Sequence, residues 1–293
     1  MRVGVVDVGS NTIRLLVTER RGGVLVPVEE KKSYVGLGAE ILRHGAIGAS
    51  KLAEAVAVAR EQAAVARATG SELLEVVVAA PGRQAENADE LVHELARATR
   101  APVHSLSADD EAALAYAGAV ARSDVDTATI AVVDVGGGST EIAVGAPPSP
   151  PAWLRSVDIG ALRLTAARLD EDPPTEDELA AAARAAHEAF AGILPPRPHA
   201  ALAVGGSARA IAKLVGRRLG ERELEAALEL LSAKRAAKVA RLHGIDVERA
   251  RVLPAGALIL AEVVRRLGVP LRLGRGGIRE GVALSLLAEA RAA

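Results

Sequence analysis

The chain is 293 residues long, half hydrophobic, with a formal net charge of −1 and no cysteine. Disulfides, thiolate metal sites and a cysteine nucleophile are excluded, and the near-neutral charge gives no global attraction for nucleic acid, membranes or polyanions, so an anionic ligand must be held by local arginines and backbone donors. No apolar run reaches transmembrane length, the first residues enter a strand without a basic leader, and 1% aromatic content argues against base-stacking platforms, so a cytoplasmic protein of two domains or one large one is expected.

Residues 2–8 and 12–19 read as β-branched strands around a Gly9-Ser10-Asn11 turn, and Arg21-Gly22-Gly23 leads into a third strand over 24–28. Glycines 36, 38 and 45 mark a loop. Ser50 is the expected N-cap of a helix over 52–68, closed by Gly70. A buried strand over 73–80 breaks at Pro81-Gly82, a helix follows over 83–100, and a short strand lies near Val103. Ser107 with Asp110 resembles a capping box and places Glu111 in the first turn of the next helix or just beyond it. Ser123-Asp124-Val125-Asp126 is a polar break, which divides the chain into domains 1–122 and 123–293.

The second half opens with a strand, a tight turn and a strand over 132–145, followed by an exposed loop at Pro147 to Pro151, a strand over 153–159 and a helix from Gly160. Thr175 and Glu178 form a capping box for a helix reaching about Phe190, ended by Pro195, Pro196 and Pro198. A strand over 200–204 runs into Gly205-Gly206-Ser207 and a helix whose N-terminal N–H groups suit an anion. Residues 221–266 read as mostly helical with caps at Ser232 and Asp246, and the chain closes with a strand over 269–273, a glycine turn and a helix from Ile278. This alternation indicates α/β architecture.

One motif occurs twice. Val-Val-Asp-Val-Gly stands at 5–9 in VVDVGSNTIRLLV and at 132–136 in VVDVGGGSTEIAVG, so Asp7 and Asp134 occupy equivalent places and a duplicated architecture with a shared cleft is expected. Glycine permits positive φ and close approach of a ligand to backbone N–H groups, so Gly136, Gly137 and Gly138 can form an anion-binding nest. Asp134 and Glu141 flank that nest. Carboxylates beside phosphate oxygens call for a bridging hard cation, and Mg²⁺ is the usual solution.

These residues resemble the Ppx/GppA phosphatase family, the exopolyphosphatases and guanosine pentaphosphate phosphohydrolases of the actin-like superfamily. The resemblance rests on VDVGSNTIRLLV, GRQAENA at 82–88, SADDEAALAYAGAV at 107–120, VVDVGGGSTEIAVG, IGALRLT at 159–165, LPAGALIL and IREGV. It implies two actin-like (ribonuclease H-like) domains with mixed sheets flanked by helices around an interdomain cleft, in the short form without appended helical domains. It further implies inorganic polyphosphate or guanosine pentaphosphate as substrate, Glu111 as general base for the attacking water, and Asp134 and Glu141 serving the metal, with Asp7 as the equivalent carboxylate of the first half. Arg83 with Mg²⁺ would hold the phosphate, and the turns Gly9-Ser10-Asn11 and Gly136 to Ser139 would clamp its oxygens. Three positions depart from the family pattern: Arg14 stands where many members carry His, Ala113 where an Arg follows, and Pro81-Gly82 where Ala-Leu is usual.

Plainer roles stand beside these. An acidic residue in a first helical turn commonly serves the helix dipole, Arg83 suits a solvated surface, and Ser207 is equally a helix cap or a phosphate contact. The histidines have no metal-ligand spacing. Hydrolysis of polyphosphate leads, hydrolysis of guanosine pentaphosphate is the alternative within chemistry, and a non-catalytic sensor of polyphosphate or of guanosine tetra- or pentaphosphate is the alternative outside it. A homodimer is left open.

Overall fold

The computed structural model describes residues 1–125 and 127–292, so Asp126 of the polar break lies outside the described residues. The chain forms two compact units, Met1–Arg122 with Gly276–Ala293, and Ser123–Arg275. Each contains one mixed sheet.

The first unit runs β1 (Arg2–Val8), β2 (Thr12–Arg21), β3 (Val24–Tyr34), α1 (Leu37–His44), α2 (Ala49–Ala68), β4 (Leu73–Val78), α3 (Pro81–Gln84), α4 (Ala88–Thr99), β5 (Val103–Ser105) and α5 (Ala108–Val120). Its sheet has the order β3-β2-β1-β4-β5, with β1 antiparallel to β2 and parallel to β4. Val6, Val8, Val76 and Val78 belong to a core shared with Leu52, Ala55 and Ala59 of α2 and Leu91 and Leu95 of α4. Val3, Val5 and Val77, pointing the other way by strand alternation, form a second core on the opposite face. Each Val or Leu withdrawn from water contributes about 1.5–3 kcal/mol, so burial on both faces fixes β1 and β4 as central strands.

The second unit continues with β6 (Ile130–Val135), β7 (Thr140–Gly145), β8 (Trp153–Val157), α6 (Ala161–Arg168), α7 (Glu176–Ala189), β9 (Ala200–Val204), α8 (Gly205–Val215), β10 (Arg218–Leu219), α9 (Glu221–Ser232), α10 (Ala236–His243), α11 (Val247–Arg251), α12 (Leu253–Leu267) and β11 (Leu271–Leu273). The sheet order is β10-β11-β9-β6-β7-β8. The repeated pentapeptide occupies the same topological place in both sheets. Asp7 on β1 faces Arg14 across an antiparallel pair and Val77 across a parallel one, and Asp134 on β6 faces Glu141 and Val204 in the same two relations.

The last helix, α13 (Ile278–Ala292), packs on α5 and β1 and therefore belongs to the first unit, whereas a simple division at residue 122 puts it with the second. Val282, Ala283 and Leu287 complete the core that Val3, Val5 and Val77 begin. The approach is backbone to backbone. A Cβ on Gly118 of α5 would lie 2.0 Å from the carbonyl oxygen of Gly277, closer than any side chain permits.

Four local expectations change. The third strand reaches Tyr34 instead of residue 28, because Glu29 to Lys32 sit on an edge strand where charged side chains are tolerated and protect against further pairing. The region around Gly38 is helical, with Gly36 and Gly45 as left-handed caps of α1. The helix expected over 83–100 is two. Ala85 is extended, and Asn87 pairs with the backbone of Ile47 through Nδ2–H to O at 3.0 Å and N–H to Oδ1 at 2.9 Å. Caps also move, with Gly48 ahead of α2 in place of Ser50 and Ser232 ending α9.

The capping box at Thr175 forms as expected. The Glu178 carboxylate accepts the N–H of Thr175 at 2.8 Å, that of Asp170 at 2.7 Å and that of Glu171 at 3.0 Å, and these backbone donors, Thr175 foremost, push its pKa down to about 2. A lowered folded-state value contributes stability that is complete above the ordinary value of 4.5 and is lost as pH falls through about 2. Glu178→Gln should therefore flatten the fall of melting temperature across that acid window, and an unchanged acid limb would contradict this. Gly118→Ala should cost about 1–3 kcal/mol or more through overpacking against Gly277. The urea midpoint reads it directly.

Candidate functional site

In the first unit, the turn after β1 is held by its carbonyls. Gly9 N–H donates to Thr12 O at 3.1 Å, Gly38 N–H to Ser10 O at 2.7 Å, and Val35 and Gly36 N–H to Asn11 O at 2.9 and 3.1 Å. Ser10 and Asn11 are nearly buried, and Asn11 Oδ1 is a buried acceptor with no hydrogen-bond partner among the described residues. Such an atom carries a desolvation cost that a donor from outside the chain would offset.

Arg83 and Glu111 meet. The Arg83 guanidinium lies 2.8 Å from Glu111 Oε2 and its Nη1 also donates to Leu106 O at 2.9 Å. The pairing depends on two local features. Arg83 sits in its own single turn, α3, because Asn87 and Ile47 end that turn early. Glu111 sits in the first turn of α5, whose N-cap Ser107 accepts the Asp110 N–H at 3.1 Å and donates to Asp110 Oδ2 at 2.6 Å. Glu111 is 6% exposed, so it is neither a solvated dipole residue nor paired by chance at the surface.

In the second unit, Asp134, Glu141 and Ser156 stand in one cross-strand row on β6, β7 and β8, and Ser156 Oγ–H donates to Glu141 Oε1 at 2.8 Å. Directly opposed strand residues hold their Cβ atoms roughly 4.5–5.5 Å apart, so the two carboxylates are neighbours. Asp134 is half-buried and Glu141 almost fully buried. The backbone of Gly205, at φ 81°, passes directly beside the Asp134 carboxylate.

The glycine loop rests on α6. Ala161 N–H donates to Gly136 O at 2.9 Å, and Leu162 and Arg163 N–H both donate to Gly137 O at 3.0 Å, while Gly136 N–H closes the turn on Ser139 O at 3.0 Å. The carbonyls of Gly136, Gly137 and Ser139 are thereby engaged, and the N–H groups of Gly137 and Gly138 make no hydrogen bond among the described residues. That is the polarity an anion nest needs. Gly160 is essential to the arrangement, since a Cβ there would stand 2.5 Å from Gly137 C and O and 2.7 Å from Gly138 N.

Ser207 lies in the first turn of α8, fully buried, with its side chain against the backbone of Gly256 on α12 and its Oγ without a partner among the described residues. Asp7 lies in the first unit and Asp134 and Glu141 in the second. Among the described residues no cluster of three or more His, Asp or Glu is arranged for a metal. The neighbouring pair Asp134 and Glu141 nonetheless fits Mg²⁺, which characteristically takes one or two carboxylates and completes its shell with water and substrate phosphate. Ser156 and Arg163 join the site without a strong motif of their own. Their signals were strand register opposite Glu141 and the heptapeptide IGALRLT.

Replacing Gly160 by Ala is expected to displace the 136–138 loop. The variant should lose stability in thermal melts, and the amide resonances of Gly137 and Gly138 should shift far more than those of β9. Unmoved loop amides would contradict the dependence.

A model of the Ppx/GppA phosphatase family matches residues 16–290. Exopolyphosphatase 1 of Mycobacterium tuberculosis is 29% identical over 308 residues, spanning 98% of this chain and 88% of that protein. The crystal structure of the Aquifex aeolicus Ppx/GppA family member matches with a TM-score of 0.84 at 23% identity, covering 99% of this chain and 98% of its own. An exopolyphosphatase structure from Cytophaga hutchinsonii matches with 0.87 at 20% identity, covering 99% and 98%. These likenesses show the fold, two actin-like units with mixed sheets flanked by helices. With a family model spanning nearly its whole length, the chain belongs to the Ppx/GppA phosphatase family.

Proposed function

We propose that the protein is a phosphoric anhydride hydrolase that releases terminal orthophosphate from inorganic polyphosphate by in-line attack of water. The observation that carries this reading is the buried Glu111 held at 2.8 Å by Arg83. A buried carboxylate fixed on an arginine is oriented, and an oriented carboxylate can align a water and take its proton as the phosphorus–oxygen bond forms. Family membership and the naming of the Mycobacterium tuberculosis relative as an exopolyphosphatase support the same assignment.

Phosphoryl transfer asks little covalent chemistry of the protein, so positioning and charge stabilisation dominate. Glu111 accepts the proton of the attacking water. Arg83 Nη1 meets both the Leu106 carbonyl and Glu111 Oε2, which anchors the guanidinium beside the base, and the rest of the guanidinium serves the phosphate. The N–H groups of Gly137 and Gly138 bind phosphate oxygens, and Ser10, Asn11 and Ser139 add short polar side chains to their turns. Asp134 and Glu141 would hold Mg²⁺, which would supply charge neutralisation to the phosphate when bound. Ser156 holds Glu141 in place through its 2.8 Å bond.

The test is phosphate release by purified protein with Mg²⁺ from short polyphosphate, long polyphosphate and guanosine pentaphosphate. Release from polyphosphate is expected, with Glu111→Gln lowering kcat by roughly 10²–10⁴-fold, the usual worth of a general base. Preference for guanosine pentaphosphate would move the substrate assignment to the other activity of the family. Tight binding of these anions without any release would make the protein a sensor and defeat the catalytic reading.

A further inference from the structure

We propose that Arg163 is a phosphate-binding residue of the second unit, parked on Asp158 until a phosphate group displaces that carboxylate. The inference rests on the reading that the Gly136 to Ser139 loop receives phosphate. Arg163 is tied to the loop through its backbone, whose N–H donates to Gly137 O at 3.0 Å. Its side chain leads to the same place. Val157 is registered opposite Thr140, so Asp158, the next residue, leaves the sheet beside Ser139. Arg163 Nη1 donates to Asp158 Oδ2 at 2.8 Å, which keeps the guanidinium at this end of β7 and β8.

The pair is built to exchange partners. The Asp158 side chain is 72% exposed and that of Arg163 30% exposed, and exposed ion pairs are typically worth only about 0–1 kcal/mol. The present pose also leaves Arg163 Nε buried with no hydrogen-bond partner among the described residues. An unsatisfied buried donor costs free energy, so the guanidinium gains by turning toward an acceptor that can take two of its N–H groups at once. A phosphate offers that geometry with more charge than a carboxylate. The loop lies beside the carboxylates of Asp134 and Glu141, and Arg163 is the one basic residue among the described residues whose backbone bonds to it.

Wild type, Arg163→Gln, Arg163→Lys and Asp158→Asn separate this role from a structural one, using phosphate release and calorimetric titration with tripolyphosphate in the absence of divalent cation. Arg163→Gln should weaken tripolyphosphate binding and raise KM by roughly 10- to 100-fold, the worth of one charge-assisted hydrogen bond, while kcat changes little. Arg163→Lys should recover part of the affinity. Asp158→Asn should tighten tripolyphosphate binding, because it removes the competing carboxylate. Unchanged binding by Arg163→Gln, or Asp158→Asn binding no more tightly than wild type, would overturn the proposal. Where Arg163→Gln does not fold, the Asp158→Asn result decides alone. Arg163-dependent binding in a protein that releases no phosphate would uphold this inference and defeat the hydrolase reading, and phosphate release insensitive to both residues would do the reverse.

Discussion

The second unit depends on one close approach of backbone to backbone. The chain at Gly160 lies so near Gly137 and Gly138 that no side chain fits between them, and this contact brings the first N–H groups of α6 onto the loop carbonyls. Helix N-termini have unsatisfied donors and tight turns have unsatisfied carbonyls, so joining them removes both deficits at once. The consequence is directional. With the Gly136 and Gly137 carbonyls committed to α6, the N–H groups of Gly137 and Gly138 stay open at the turn, which suits an anion. A recognition surface thus follows from a packing constraint.

The first unit reaches a comparable polarity by a different route. The turn after β1 also gives its carbonyls away, here to the N–H groups of Val35, Gly36 and Gly38 around the start of α1. The repeated pentapeptide sets the aspartate and the strand pairing, while each unit supplies its own helix start to hold the turn. The repeat goes with the shared topology of β1 and β6. It does not explain Glu111 or Arg83, which come from α5 and α3 and have been built onto the first unit alone.

Much of this was legible in the sequence because its cause is local. Strands β1 and β6, the Thr175–Glu178 capping box and the placement of Glu111 in a first helical turn follow from alternation and cap chemistry within a few residues. What was hidden depends on distant partners. The break between α3 and α4 is made by Asn87 bonding Ile47, 40 positions away, and helix propensity over 83–100 gives no sign of it. Helix α13 joins the first unit because Gly118 admits the backbone of Gly277, a contact no window along the chain can show. The glycines around α1 read as a loop, whereas Gly36 and Gly45 cap the helix at its two ends. Arg163 was hidden differently, inside a heptapeptide that marked the family without revealing its partner Asp158.

The most direct test of the central claim, that water oriented by Glu111 attacks the terminal phosphorus, is the fate of solvent oxygen. Hydrolysis of polyphosphate in ¹⁸O-labelled water should place the label in the released orthophosphate and leave the shortened chain unlabelled. Label in the shortened chain, or unlabelled orthophosphate, would contradict attack at the terminal phosphoryl group.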